Sequence, residues 1–213
     1  MSCRSQTRLP CMTELRVHDF SLSLDGFAAG PAQGRDDPLG RDGERLHDWA
    51  FADATDVDRR FRARGTEGIG ATIMGRNMFG PVRGSWDSDP DWRGWWGEDP
   101  PFHHDVFVLT HHPRLSLEMA GGTTFHFITD GIEAALERAT AAARGADVRL
   151  GGGASTVRQY ARAGLIDELH VVVVPVLLGG GERLFEGNGW DGWRCVEFSP
   201  SSTVAHVRLR RDA

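Results

Sequence analysis

The stretch VRLGGGAST at residues 148–156 decides the fold, together with IMGRNMFG at residues 73–80. Each stretch runs from an apolar, strand-like sequence through glycine into a segment that can form a helix. This arrangement turns backbone N–H groups and a helix N-terminus towards an anion, commonly a phosphate. Two such stretches indicate one extended phosphorylated ligand that is held at two points.

The spacing of the glycines argues against the most familiar dinucleotide-binding motif. The run Gly151-Gly152-Gly153 is not G-x-G-x-x-G, and no acidic residue follows a second strand about 20 positions later, as a Rossmann unit requires. A glycine run also serves tight turns and close packing. The fold is therefore assigned from the order of several motifs along the chain, not from the glycine run alone.

Five motifs follow one another in a recognisable order. They are SLSLDGFAAG (21–30), MGR (74–76), VFVLT (106–110), LGGGAS (150–155) and the apolar run 171–178 with three glycines after it. This order resembles the dihydrofolate reductase-like superfamily, in the branch that contains the reductase domain of riboflavin biosynthesis, the RibD C-terminal domain. The resemblance implies an α/β fold for residues 13–213 as one domain. It implies a mostly parallel central sheet with antiparallel C-terminal strands and helices on both faces.

The same resemblance implies NADPH as the cofactor. Arg76 would meet the 2′-phosphate, because a planar guanidinium suits bidentate binding of that dianion. The strand end at residues 109–110 would bracket the adenosine, and the loop at 152–156 would lie under the pyrophosphate. The positions assigned to NADPH in this way are Gly30, Gly75, Arg76, Asn77, Leu109, Thr110, Gly152, Gly153, Ala154, Ser155 and Thr156.

Two departures from the family pattern bear on function. Met78 stands where the family usually has Thr, which leaves more of the phosphate contact to Ser155 or Thr156. No carboxylate falls securely at the position that protonates dihydrofolate. We therefore expect a pyrimidine reductase of the riboflavin-pathway type, acting on a small planar heterocycle. A dihydrofolate or pteridine reductase is the alternative, and a non-catalytic nucleotide-binding module with the same fold is a third hypothesis.

Asp25 is the catalytic candidate, because it follows the first predicted strand and would lie under the nicotinamide. It could donate a proton or orient a ring N–H. The dipeptide Asp-Gly is also a strong turn signal, so a purely structural role is equally open. Asp56 and Asp58 are alternative carboxylates on a predicted surface helix at 53–64, where we expect both to be solvated. His47 is a further candidate near the same cleft.

The segment at residues 83–104 is rich in tryptophan, glycine, proline and aspartate. Indole rings at the substrate end of the cleft could stack a flat heterocycle and exclude water. A surface loop packed on its own aromatic side chains is the alternative interpretation. The substrate-binding candidates are Trp49, Trp92, Trp95 and Trp96.

Composition excludes several other classes of function. The 24 basic residues are all arginine and are outnumbered by 30 acidic ones, for a net charge of -6, which argues against nucleic-acid binding. No apolar run approaches the roughly 18 residues of a membrane span. Three cysteines without C-x-x-C spacing predict reduced thiols in a cytoplasmic protein. Relatives of this kind are often homodimers.

Two further expectations concern the termini and metals. The polar residues 1–12 are predicted to be a disordered extension outside the domain. The pairs His103-His104 and His111-His112 lack a metal-binding motif, and adjacent residues of an extended chain point to opposite sides. We therefore expect no metal.

Overall fold

The computed structural model describes residues 13–51, 54–81 and 83–212, so the predicted extension at 1–12 lies outside the described residues. The strands are β1 Leu15–Ser23, β2 Phe27–Ala29, β3 Ile69–Gly75, β4 Asp105–Leu109, β5 Leu117–Glu118, β6 Thr124–Ile128, β7 Asp147–Gly152, β8 Glu168–Val174, β9 Glu182–Arg183, β10 Trp193–Pro200 and β11 Ala205–Arg211. The α-helices are α1 Asp56–Arg64, α2 Arg76–Phe79, α3 Ile132–Ala143 and α4 Ala154–Arg162. None of the helices in these ranges is long and apolar enough to cross a membrane.

One large sheet organises the chain, in the order β10-β11-β8-β1-β7-β3-β4-β6-β5. The six strands from β8 to β6 in that order are mutually parallel. Strands β10 and β11 continue the sheet antiparallel at one edge, and β5 does so at the other. The predicted mostly parallel sheet with antiparallel C-terminal strands is confirmed.

Helices cover both faces of this sheet, as predicted. On one face Val17 and Leu22 of β1 belong to a buried cluster with α3 and α4, which contribute Ala139 and Tyr160. On the other face Phe61 of α1 stacks on two histidines of the sheet. Because side chains alternate between the faces of a strand, each buried strand supplies both layers of the core.

Several local expectations change in the structure. The sequence predicts an alanine-rich helix over residues 132–143 with Asp130 as its N-cap. Helix α3 has these bounds, but it begins after Gly131, and the side chain of Asp130 accepts a hydrogen bond from Arg138 instead of capping the helix. The sequence also predicts a short helix over residues 156–163, whereas α4 begins two residues earlier, at Ala154. Asp58 was expected in solvent and is fully buried, because Thr55 and Asp58 form a capping box that turns the carboxylate inwards.

Candidate functional site

A cavity of about 710 Å³ lies across the carboxyl ends of β1, β7, β3, β4 and β6. Open α/β sheets bind ligands at this edge of the sheet. The volume is in the range that small-molecule and cofactor sites occupy. The glycine loop after β7 lines the middle of the cavity, with β1 on one side and β3, β4 and β6 on the other. We call these the β1 side and the Arg76 side.

The structure brings most of the predicted site residues together around this cavity. Those that line it are Gly75, Arg76, Asn77, Trp95, Trp96, Leu109, Thr110, Gly152, Gly153, Ala154, Ser155 and Thr156. Those that lie outside its lining are Asp25, Gly30, Trp49 and Trp92. The loop that carries Gly30 is nevertheless close, because Ala28 and Ala29 line the cavity.

Arg76 is held in place before any ligand binds. Its guanidinium carbon lies 3.1 Å from the centre of the Trp86 ring, in a cation–π contact. Its Nη1 donates to Thr110 Oγ1 at 3.0 Å, and its Nη2 donates to the carbonyl of Gly84 at 3.2 Å. The Nε atom is buried and has no hydrogen-bond partner within the part of the chain that the structure describes. Sequence reasoning assigned Arg76 to this site but did not foresee the stack on Trp86.

The charge of Arg76 is not balanced by a nearby carboxylate. Desolvation, together with the like charges of Arg114 and Arg83, lowers the pKa of Arg76 to about 10. No acidic group in the described part of the chain opposes that shift. Arg83 also lines the cavity. The Arg76 side therefore has the unsatisfied positive potential that suits a phosphate.

The glycine loop exposes backbone in the middle of the cavity. No side chain caps the N-terminus of α4, so its first N–H groups are available to an anion. A Cβ on Gly153 would meet no atom within 4 Å, whereas a Cβ on Gly75 would collide with the Thr156 hydroxyl. The Gly152–Gly153 peptide bond is cis. Met78, the departure from the family pattern, packs against Gly151.

Asp25 braces a turn beside the cavity. Its carboxylate accepts hydrogen bonds from the backbone N–H groups of Leu178 and Gly179, at 3.2 and 2.8 Å. A hydrogen bond from Ser23 and these backbone contacts outweigh desolvation and lower the pKa of Asp25 to about 2. An ionised carboxylate accepts protons and cannot donate one. The turn role that sequence reasoning left open is the one that this geometry supports.

The tryptophan-rich segment forms a small core of its own. Trp86, Trp92 and Trp96 pack with Phe79 and Phe125 against one face of the sheet. The indole N–H of Trp92 donates to the carbonyl of Phe79 at 3.0 Å. Trp95 and Trp96 also reach the cavity. The segment is therefore packed on its own aromatic side chains, and two of its indoles also line the cavity.

Trp49 belongs to a different part of the core. It is 3% exposed, and its Nε1 donates to Ser21 Oγ at 3.0 Å. It packs with Val172 and Val174, so Ser21, which does line the cavity, lies nearer the ligand space. A substrate would meet the Ser21 hydroxyl before it met the indole.

The β1 side of the cavity contains polar residues that the motifs did not single out. Asp19, Ser21 and Gln33 line it together with His47. Burial lowers the pKa of His47 below its usual value, while the charge of Asp48 opposes the shift. A neutral imidazole at this position can donate or accept a hydrogen bond. His47 was a candidate from its place in the sequence; Asp19 had no local signal because its position depends on a distortion of β1.

Comparison with known proteins agrees with this architecture. A protein of Shewanella sp. PV-4 assigned to riboflavin biosynthesis has a TM-score of 0.61 at 22% identity, over 95% of this chain and 100% of that one. Dihydrofolate reductase of Enterococcus faecalis, complexed with NADP(H) and RAB-propyl, has a TM-score of 0.57 at 16% identity, over 96% and 100%. These structures share the dihydrofolate reductase-like fold with this chain.

A third structure is a longer chain. The diaminohydroxyphosphoribosylaminopyrimidine deaminase/5-amino-6-(5-phosphoribosylamino)uracil reductase of Thermotoga maritima has a TM-score of 0.57 at 13% identity, over 94% of this chain and 57% of its own length. No curated protein sequence matches the chain. Residues 17–207 match the RibD C-terminal domain, and the chain belongs to that family of reductase domains. The expected family and fold are confirmed.

Proposed function

We propose that this protein is an NADPH-dependent reductase that transfers hydride to a C=N or C=O bond of a small planar heterocycle. The observation that carries the proposal is the arrangement of Arg76. Its guanidinium is stacked on Trp86, lacks a carboxylate partner among the described residues and lines the same cavity as an uncapped helix N-terminus. A dinucleotide with an extra phosphate matches both features at once.

The residues present fit such a cofactor. Arg76 would hold the 2′-phosphate, Thr110 the adenosine and the backbone around Gly153 the pyrophosphate. The nicotinamide would then lie on the β1 side, beside Phe20 and Ala29, which line the cavity there. Bound NADPH supplies the hydride, and the protein orients it. Apolar residues on this side exclude water from the reacting atoms.

The substrate would occupy the rest of the cavity, between His47 and Ser21 on the β1 side and the indoles of the tryptophan-rich segment. Trp95 and Trp96 offer aromatic surface to a flat ring. His47 and Ser21 can hydrogen-bond to the ring nitrogens or carbonyl oxygens of the substrate. The riboflavin-pathway pyrimidine that gives the Thermotoga maritima enzyme its name is our first candidate, with a dihydropteridine as the alternative.

The decisive experiment follows NADPH oxidation by the loss of reduced-nicotinamide absorbance. The substrates are 5-amino-6-(5-phosphoribosylamino)uracil, its unphosphorylated analogue and a dihydropteridine. We expect turnover with a pyrimidine and a lower rate with NADH. Tight NADPH binding without oxidation of any substrate would favour a non-catalytic nucleotide-binding module, and the absence of NADPH binding would contradict the proposal. A cytoplasmic location and a homodimer are further parts of the proposal; light scattering during gel filtration tests the homodimer.

A further inference from the structure

A bulge in β1 places two titratable side chains opposite a third. In the parallel pairing of β1 with β8, Val17 lies opposite Leu169 and Phe20 lies opposite Val171, so His18 and Asp19 together face His170. Asp19 has a φ of 55°, in the left-handed region. Successive residues of a regular strand point to opposite faces. The bulge is therefore what brings His18 and Asp19 to the same face.

The three side chains converge on one point. His18 Nδ1 and His170 Nδ1 are 3.2 Å apart, and each lies 3.4 Å from Asp19 Oδ1. A tetrahedral zinc ion with nitrogen and oxygen ligands at about 2.0–2.1 Å would separate its ligand atoms by roughly 3.3–3.4 Å. The triangle of ligand atoms thus has the dimensions of one face of a zinc tetrahedron. We propose that His18, Asp19 and His170 form a binding site for a divalent transition-metal ion of the zinc type.

A buried hydrogen-bond chain fixes the tautomer of His170. The carboxylate of Asp58 accepts a hydrogen bond from His206 Nε2 at 2.8 Å, which leaves His206 Nδ1 as an acceptor. His170 Nε2, 3.1 Å from that atom, must then donate, so His170 Nδ1 presents a lone pair to the triangle. Histidine ligands of metals usually donate their other N–H in this way, to a partner that is itself held by hydrogen bonds.

The metal-free hydrogen bonding of the triangle is incomplete. His170 Nδ1 accepts the N–H of Asp19 at 3.2 Å, while Asp19 Oδ1 is buried and has no well-aligned donor among the described residues. One proton on His18 Nδ1 can serve only one of the two acceptors that it faces. A metal ion would take the lone pairs of all three atoms together, in place of the Asp19 N–H bond to His170 Nδ1 and of the proton on His18 Nδ1. The donor set of two imidazoles and one carboxylate is common for zinc.

The surroundings enclose the triangle. Phe61 stacks on His170 and closes one side. Gly65 faces the other side, where a Cβ would lie 2.7 Å from Asp19 Oδ2 and 3.1 Å from His18 Nδ1. A side chain at Gly65 would collide with Asp19 and press on His18, so glycine at this position lets the two ligand residues keep their places. Asp19 also lines the large cavity, so the cavity borders this position.

The test is a metal titration and does not depend on NADPH. Protein freed of metal by a chelator is titrated with Zn²⁺ against a chromophoric competitor, and with Co²⁺ for its visible absorption. We expect one Zn²⁺ per chain and the strong visible bands of four-coordinate Co²⁺. A wild-type protein that binds neither ion would overturn the inference and leave the proposed reductase activity untouched.

Variants separate this site from adventitious binding. His18→Gln and Asp19→Asn are each expected to weaken Zn²⁺ at least tenfold, within the range seen when ligands or their supports are lost. Gly65→Ala should weaken it as well, since its φ of -66° accepts alanine and the added Cβ would displace Asp19 and crowd His18. His126→Gln is the matched control, because His126 bonds Ser116 and Asp105 away from the triangle. Equal Zn²⁺ affinity in His18→Gln, Gly65→Ala and the control would refute the site, with circular dichroism confirming that each variant is folded.

Discussion

Arg76→Ala is expected to remove the preference for NADPH over NADH. In the structure the guanidinium is already ordered by Trp86, Thr110 and the carbonyl of Gly84, so binding a phosphate requires little further loss of side-chain entropy. A hydrogen bond to a charged group contributes about 1.5–3 kcal/mol. We take about 2 kcal/mol, or roughly a 30-fold loss of NADPH affinity. NADH lacks the 2′-phosphate, and its affinity should change little.

Arg114→Ala is the matched control for this experiment. The Arg114 guanidinium lies over the same Trp86 ring, at 4.8 Å from its centre, but Arg114 does not line the cavity. The variant removes the same charge from the same cluster, and solvent screening should limit its effect on NADPH to less than about threefold. Both cofactors are titrated by fluorescence or calorimetry into wild type and both variants. Equal losses for NADPH and NADH in Arg76→Ala, or an equal effect of Arg114→Ala, would refute the assignment of the phosphate to Arg76.

Three further predictions test the glycine loop, the tryptophans and an ion-pair network. Gly153→Ala should keep the melting temperature and weaken NADPH at least tenfold, because the added Cβ meets open cavity and blocks the pyrophosphate; normal affinity would make the loop a packing turn. Trp96→Ala should lower the free energy of unfolding by about 2 kcal/mol, less than the ~3–5 kcal/mol lost with a fully buried aromatic side chain. Trp95→Ala should chiefly weaken binding of the heterocycle. Melting and binding are measured on both variants, and reversed effects would contradict both expectations. Desolvation favours the neutral form of Glu197, but hydrogen bonds from Arg208 and Arg64 outweigh it and hold the pKa of Glu197 below the ordinary 4.5. The ion pairs therefore stabilise the fold above pH 4.5, and this stabilisation is lost as the pH falls below that value. In Glu197→Gln the urea midpoint should depend less on pH in this acid range than in wild type, and an unchanged dependence would assign the effect to other groups.

The parts of the site that follow from sequence are those encoded in contiguous motifs. Gly75-Arg76 and the glycine run at 151–153 each join a buried strand to a helix, so local backbone geometry alone places them at the carboxyl edge of a parallel sheet. Helix α3 was predictable at both ends because an alanine-rich segment is bounded by glycines. Such features depend only on residues that are close in sequence. The superfamily resemblance then indicates in which order the corresponding elements follow one another along the chain.

Features that depend on contacts between distant segments could not be predicted in this way. Trp86 lies in a loop without regular periodicity, and only the folded chain shows that the Arg76 guanidinium stacks on its ring. Asp58 has the charge and spacing of a surface residue, yet His206 from β11 draws its carboxylate into the core. Trp49 is aromatic and follows the cleft residue His47 in the sequence, but its ring is buried against Val172 and Val174 of β8 and does not line the cavity. In each case tertiary packing overrode a reasonable local expectation.

The bulge in β1 links the two sites of this molecule. It puts Asp19 beside His170 on the α1 face, and it resets the alternation so that the next residue, Phe20, points to the opposite face. There the Phe20 ring lies 3.4 Å from where a Cβ on Gly152 would be, so it packs directly against the glycine loop of the cavity. A regular strand through residues 18–20 would put His18 and Phe20 on one face and Asp19 on the other. In such a strand His18, Asp19 and His170 would no longer meet, and Phe20 would no longer pack against the glycine loop. The left-handed conformation of Asp19 has an energetic cost for the backbone. The placement of both the histidine triangle and Phe20 depends on this conformation, which gives a physical reason for the fold to retain it.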